Sequence, residues 1–322
     1  MRATLRKVSV FLIALAAIIW AASTFEAARL SAAGRVHSRI KHPEVLVPSS
    51  SVPQPVRLRE EKRRGLLAET WINGRGPYRF VVDTGAGISL VSDQLVAETG
   101  IRVNNGRRTV ISGMSGRGTV STREAVIDQI ALGYHDNFLP RQIRVLVAPV
   151  PQGIDGILDP TEAFAPLGYS IDFPNLQLRA FDPKSSGLKL RNQPPDGTTV
   201  RWIRDRESSR PFVRLGDGRL ALLDTGSGLG LGIRDPNSSN HEGRSRDERI
   251  HDLGGGTVQV VRVAPSTVTI NALVLRGVPT DILRGVAVDT PVILGRDALF
   301  PFRITFDPLN RLIEIAPARE NR

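Results

Sequence analysis

The chain has 322 residues, enough for two domains of roughly 100 to 150, and its 41% apolar and 23% charged composition excludes a disordered, collagenous or polytopic membrane protein. It has no cysteine, so disulfides, a thiol nucleophile, Cys-ligated zinc and iron–sulfur clusters are excluded, and its five scattered histidines form no pair at metal-ligand spacing. Of the net charge of +11, residues 1–64 carry +8, with twelve Lys/Arg against four Glu; a nucleic-acid domain concentrates its charge on the folded body, so no nucleic-acid partner is expected.

Residues 1–25 open with Arg2, Arg6 and Lys7, followed by an uncharged run from Val8 to Phe25. That order marks an export signal or an uncleaved membrane anchor, at the short limit for spanning a bilayer. The positive flank favours the cytoplasmic side, which sends the rest of the chain to the periplasm or another extracytoplasmic space. Residues 26–64 are basic and punctuated by Pro43, Pro48, Pro53 and Pro55, the pattern of an extended linker.

After the arm, one pattern is written twice. The first copy runs Trp71-Ile72-Asn73-Gly74 into Tyr78-Arg79-Phe80-Val81-Val82, then Asp83-Thr84-Gly85-Ala86-Gly87. The second runs Phe212-Val213-Arg214-Leu215 through Asp217-Gly218 into Leu220-Ala221-Leu222-Leu223, then Asp224-Thr225-Gly226-Ser227-Gly228. Asn-Gly and Asp-Gly favour hairpin turns because both residue types tolerate positive φ. Downstream, Ile154-Asp155-Gly156-Ile157-Leu158 answers Val292-Ile293-Leu294-Gly295-Arg296-Asp297, which pairs Gly156 with Gly295. Tyr169-Ser170-Ile171-Asp172-Phe173 answers Phe302-Arg303-Ile304-Thr305-Phe306. A short helix is expected at Ser92–Thr99, with others after Asp159 and Gly295. The remaining elements read as strands. The organisation is then a lobe at 65–182, a polar interlobe segment at 183–210 and a second lobe at 211–318, with a polar loop at 234–252.

At these residues the chain resembles the aspartic proteases, retropepsin-like and pepsin-like, of a single-chain, exported bacterial type. The resemblance covers about residues 65–318. It implies a mainly β fold of two β-barrel lobes related by a pseudo-twofold axis, each lobe giving one Asp-Thr-Gly loop. It implies a monomeric endopeptidase acting on polypeptides, with Asp83 and Asp224 as the catalytic pair and no cofactor. Thr84 and Thr225 would hydrogen-bond across the lobes and lock the loops. Gly85 and Gly226 would let the two backbones approach, since they lack Cβ. Gly87 and Gly228 would lie where the substrate backbone passes.

The chemistry follows from the residue types. Two adjacent carboxyls cannot both ionise cheaply, so they share a proton, and one serves as base while the other serves as acid. Ser227 stands where the first copy has Ala86. A Ser227 hydroxyl donating to Asp224 would make Asp224 the more acidic partner. Two glycine-rich segments are flap candidates: Gly113-Met114-Ser115-Gly116, between strand-like arms, and Leu253-Gly254-Gly255-Gly256. None of Tyr78, Tyr134 and Tyr169 falls in a flap, which favours the retropepsin side. Arg296 lacks the acidic residue that retropepsins tend to place shortly after the Asp-Thr-Gly loop, so its partner must come from elsewhere. The rival reading is a catalytically silent protein of the same fold that binds peptides or cell-envelope components. Two buried like charges argue against it, because a pure binder gains little from them. A phosphate loop at 226–232 fails on motif and context, and Gly113-Met114-Ser115-Gly116-Arg117 fails the G-x-S-x-G pattern at its last place.

Overall fold

The structure is a computed structural model, and it describes residues 52–61, 64–116, 119–204, 209–235, 248–251 and 256–318. Among these the chain is mainly β, with short helices between strands. The strands sort into three sheets.

The first sheet runs, in spatial order, through Arg59–Glu61, Gly65–Ile72, Arg75–Val82, Gly156–Leu158, Ser89–Val91, Ile143–Val147, Thr119–Ile127 and Arg102–Ser112, with Ile130–Leu132 paired beside Gly65–Ile72. The second runs through Phe212–Arg214, Leu220–Asp224, Val292–Gly295, Leu231–Arg234, Leu273–Arg284, Thr257–Ile270 and Glu248–His251. From Gly65–Ile72 in one and Phe212–Arg214 in the other, both pass through the same succession of pairings: antiparallel, parallel, antiparallel, parallel, antiparallel, antiparallel. The repeat in the sequence is thus a repeat in topology.

The third sheet is antiparallel throughout and draws strands from both ends of the described chain: Val56–Arg57, Gln177–Phe181, Gly168–Asp172, Phe302–Asp307, Leu312–Pro317 and Thr198–Arg201. At its centre Ile171 pairs with Ile304. Tyr169 stacks on Phe306 at 4.7 Å, and Trp202 meets Phe306 edge-on at 5.9 Å. These rings join one continuous apolar core with Phe80 and Val82 of the first sheet and Ala221 and Leu223 of the second. Each fully buried side chain of that size contributes about 1.5–3 kcal/mol, so the core ties the two Asp-bearing strands to a common base.

Local signals act where the sequence puts them. Asn73 and Gly74 turn the first hairpin with φ of 49° and 78°, the paired left-handed conformation of the tight turn that matches strand twist. The helix is Asp93–Thr99; the Ser92 hydroxyl caps it by accepting from Leu95 N–H, and Gly100 ends it at φ 67°. Helices of one turn follow Asp159 and Gly295, at Pro160–Ala163 and Arg296–Leu299.

Three stretches differ from expectation. The end of the proposed linker is part of the fold: Val56–Arg57 and Arg59–Glu61 are strands, and Val56 and Leu58 are buried. Val56 and Leu58 alternate with Arg57 and Arg59 just after Pro53 and Pro55, and Val56–Arg57 forms a short edge strand. The interlobe segment supplies the edge strand Thr198–Arg201, with Thr198, Thr199 and Trp202 buried. Within the polar stretch 234–252, Glu248–His251 pairs with Thr257–Val260. The signal or anchor expected at 1–25 lies outside the described residues. Among the described residues no helix is long and apolar enough to cross a membrane.

Candidate active site

Asp83 and Asp224 stand at the ends of two strands that each run parallel to a neighbour. Val82 pairs with Leu158 and Asp224 with Gly295, and Asp83 N–H continues the first pairing by donating to Leu158 O. Both aspartates are fully buried. The two loops are bolted together by crossed threonines. The Thr84 hydroxyl donates to Leu223 O at 2.6 Å and accepts from Thr225 N–H at 3.1 Å. The Thr225 hydroxyl donates to Val82 O at 2.8 Å and accepts from Thr84 N–H at 3.1 Å. Four bonds between residues about 140 apart in sequence satisfy both threonine hydroxyls and both threonine N–H groups, which makes the pairing of the loops specific.

The loop glycines bring the carboxyls together. A Cβ on Gly85 would lie 2.7 Å from Asp224 Cγ, and one on Gly226 would lie 2.4 Å from Asp83 Cγ. Each carboxyl therefore rests on the other loop's glycine, and any side chain at either glycine would displace it. One oxygen of each carboxyl is fixed by backbone. Asp83 Oδ1 accepts from Gly85 N–H at 2.8 Å; Asp224 Oδ1 accepts from Gly226 N–H at 2.9 Å and Ser227 N–H at 3.0 Å. The other two oxygens, Asp83 Oδ2 and Asp224 Oδ2, are buried and, apart from each other's carboxyl, meet no donor among the described residues. Buried carboxylate oxygens without donors favour a retained proton.

The two acids are pushed apart in strength. Burial, reinforced by the neighbouring Asp224 charge, holds Asp83 well above the usual carboxylate range, against the single Gly85 N–H. Burial raises Asp224 only to about 6, opposed by a hydrogen bond from Asp83, the Ser227 and Gly226 N–H groups and the Arg296 charge. Asp224 is the more acidic member, but not through the expected donor: the Ser227 hydroxyl accepts from Leu229 N–H, and it is the Ser227 backbone that donates to Asp224. The residue after Gly85 offers nothing comparable, since Ala86 N–H donates to the Asp83 main-chain oxygen instead.

Strand register also revises one correspondence. Gly156 pairs with Phe80, three residues before Asp83, whereas Gly295 pairs with Asp224 itself. Gly295 therefore answers Asp159, and both cap the one-turn helices that follow. The loop after Asp224 is one residue longer than that after Asp83, as Leu90 and Gly232 take matching places opposite Ile157 and Ile293.

The hairpin Arg102–Ser112/Thr119–Ile127 carries the first flap candidate. Gly113, Met114 and Ser115 are buried, and Gly116 turns at φ 61° with its N–H donating to Gly113 O. Met114 packs into an apolar cluster of the second sheet with Leu229, Val258, Leu283 and Ile293, and Ala287 N–H donates to Met114 O at 2.8 Å. The tip thus crosses from one sheet to the other. On the first sheet a second apolar cluster, including Ala86, Leu90, Ile111 and Ile157, lies on the Asp83 side. Gly87 and Gly228 are half-buried just beyond their loops. Gly254 and Gly255 lie outside the described residues.

Two further residues stand behind the loops, and the sequence left their surroundings open. Arg296 is buried, and its Nη1 donates to both Thr225 O and Gly226 O at 3.0 Å, so its partners are main-chain carbonyls. Asp159 is fully buried behind the first loop; one oxygen accepts from Thr161 N–H and the other from the Ser209 hydroxyl. Burial, with the Glu162 charge, raises Asp159 to about 7. No His/Asp/Glu group suited to a metal ion occurs among the described residues.

Residues 68–159 match the family described as aspartyl protease. The matched stretch contains the first Asp-Thr-Gly loop, the hairpin Arg102–Ser112/Thr119–Ile127 and Asp159, and it supports a protease among the hydrolases. Comparison with curated proteins gives no match.

Proposed function

We propose that the chain is an aspartic endopeptidase in which Asp83 and Asp224 activate one water between them. The observation that carries this is the pair of buried carboxyls, each with one oxygen fixed by backbone and one without a donor, above four crossed threonine bonds. In the resting pair Asp224 is ionised and Asp83 protonated. Asp224 takes a proton from water as its oxygen attacks the peptide carbonyl carbon, and Asp83 gives its proton to the carbonyl oxygen. The resulting diol collapses: Asp224 returns its proton to the amide nitrogen, the C–N bond breaks, and a diol hydroxyl restores the proton on Asp83. One peptide bond and one water become an acid and an amine, and the pair ends as it began.

The apolar clusters beside the two loops and the Met114 tip that bridges the two sheets suit an extended polypeptide as substrate. The same reading makes the enzyme an exported monomer, with residues 1–25 as signal or inner-membrane anchor; recovery of the full chain in the cytosolic fraction would contradict the export part. The test of activity is a mixed peptide library incubated with the full chain at acid and neutral pH, with and without a peptide analogue bearing a hydroxyl in place of the scissile carbonyl. Cleavage blocked by the analogue and lost in Asp83→Asn and Asp224→Asn is expected. No cleavage by folded protein would favour a peptide-binding role, and cleavage surviving both substitutions would remove the dyad.

A further inference from the structure

At matched places behind the two loops the chain puts different residues. After the parallel pairs Val82–Leu158 and Leu223–Leu294, the one-turn helices begin with Pro160 in one sheet and Arg296 in the other. Arg296 Nη1 grips Thr225 O and Gly226 O. A peptide unit is planar, with its carbonyl and N–H pointing opposite ways. The Thr225 carbonyl shares its peptide with Gly226 N–H, and the Gly226 carbonyl shares its peptide with Ser227 N–H. Those two N–H groups hold Asp224 Oδ1. Arg296 therefore holds the far ends of the very peptides whose near ends bind the carboxylate. A cation on the carbonyls polarises both units and strengthens both donors, while its charge favours the anion beyond them. Asp83 has one such peptide donor, and Pro160 supplies neither charge nor grip. The guanidinium has little freedom, since a Cβ at Gly65, across from it, would lie 3.0 Å from Nη1.

We propose that Arg296 is a positioning residue that keeps the negative charge of the dyad on Asp224 and its proton on Asp83, by orienting and polarising the Thr225–Gly226 and Gly226–Ser227 peptides. This rests on the dyad reading above. The charged groups facing Arg296 are Glu60, which is exposed, and Asp224, Asp297 and Asp83; Asp159 faces Asp83 from behind. Arg296 is the one cation among these groups, and its charge adds to the Ser227 and Gly226 N–H donors that it orients.

The experiment is the pH dependence of kcat/KM for wild type, Arg296→Gln and Arg296→Lys on one cleaved peptide, with folding of each followed by circular dichroism. Arg296→Gln is expected to move the acid limb up by about one pH unit, a loss of roughly tenfold on that limb, because Asp224 then holds its proton longer. Arg296→Lys, which keeps the charge, is expected to restore most of that shift. An acid limb that stays in place in folded Arg296→Gln, with activity lowered equally at every pH, would overturn the proposal by showing a structural role only. Should Arg296→Gln fail to fold, carboxyl 13C NMR decides: Asp224 in Asp83→Asn must titrate below Asp83 in Asp224→Asn, and the reverse or equal order overturns it. Failure of the dyad itself is seen separately, as cleavage that survives Asp83→Asn or Asp224→Asn.

Discussion

Asp159 should make the folded protein less stable as pH rises, and Asp159→Asn should remove that dependence. Its carboxyl is fully buried and raised from 3.8 to about 7. A folded-state value above the unfolded one means the native state keeps a proton that the unfolded chain has already released. Stability is therefore full below about pH 4, falls as pH rises, and levels off above about pH 7. Three units at about 1.4 kcal/mol each give a loss of roughly 4 kcal/mol across that window. Asn at this place can still accept from Thr161 N–H, and its amide can donate to the Ser209 hydroxyl, so the contacts are kept while the titration is lost. The assay is urea unfolding of both proteins from pH 4 to pH 8. Near pH 4 they should agree within about 1 kcal/mol, and at pH 8 Asp159→Asn should be the more stable by up to about 4 kcal/mol. The dyad pushes in the same direction in both proteins, so the difference between them isolates Asp159. Equal slopes against pH would refute the reasoning.

Thr225→Val keeps the side-chain shape but strips a donor from Val82 O and an acceptor from Thr84 N–H; a loss of about 2–4 kcal/mol in urea unfolding and a steep fall in activity are expected, and an unchanged midpoint would contradict the crossed-bond account. Gly226→Ala puts a methyl 2.4 Å from Asp83 Cγ and should lower kcat by at least about a hundredfold, measured on a peptide cleaved by wild type. Met114→Ala empties the flap tip's seat against Leu229 and Ile293; it should cost about 2–3 kcal/mol and raise KM more than it lowers kcat, and an unaltered KM would detach the flap from substrate binding.

Much of the site is legible in the residues because its chemistry needs particular side chains at particular spacing. Asp83, Thr84 and Gly85 and their repeat at 224–226 each perform a task that few other residues can, and Ser92 and Gly100 mark their helix by the capping each supplies. What stayed hidden is carried by backbone and register. The acceptors of Arg296 are carbonyls, which every residue has, so no residue type announces them. Gly156 and Gly295 follow similar apolar pairs at near-equal distances from their aspartates, which makes them look equivalent; only the strand pairing shows that Asp159, three residues further on, stands in Gly295's place. The strands at 56–61 are too short to show a period, and they exist because Gln177–Phe181 and Gly65–Leu67 offer free edges. The docking of Met114 beside Ala287 depends on how the sheets meet, and pattern within one segment carries no trace of that.

The central claim is most directly tested by a crystal structure of the chain with a bound peptide analogue whose hydroxyl replaces the scissile carbonyl. That hydroxyl should sit within hydrogen-bonding distance of both Asp83 Oδ2 and Asp224 Oδ2, beneath the Met114 tip. An analogue bound elsewhere, or a hydroxyl touching neither carboxyl, would contradict the account.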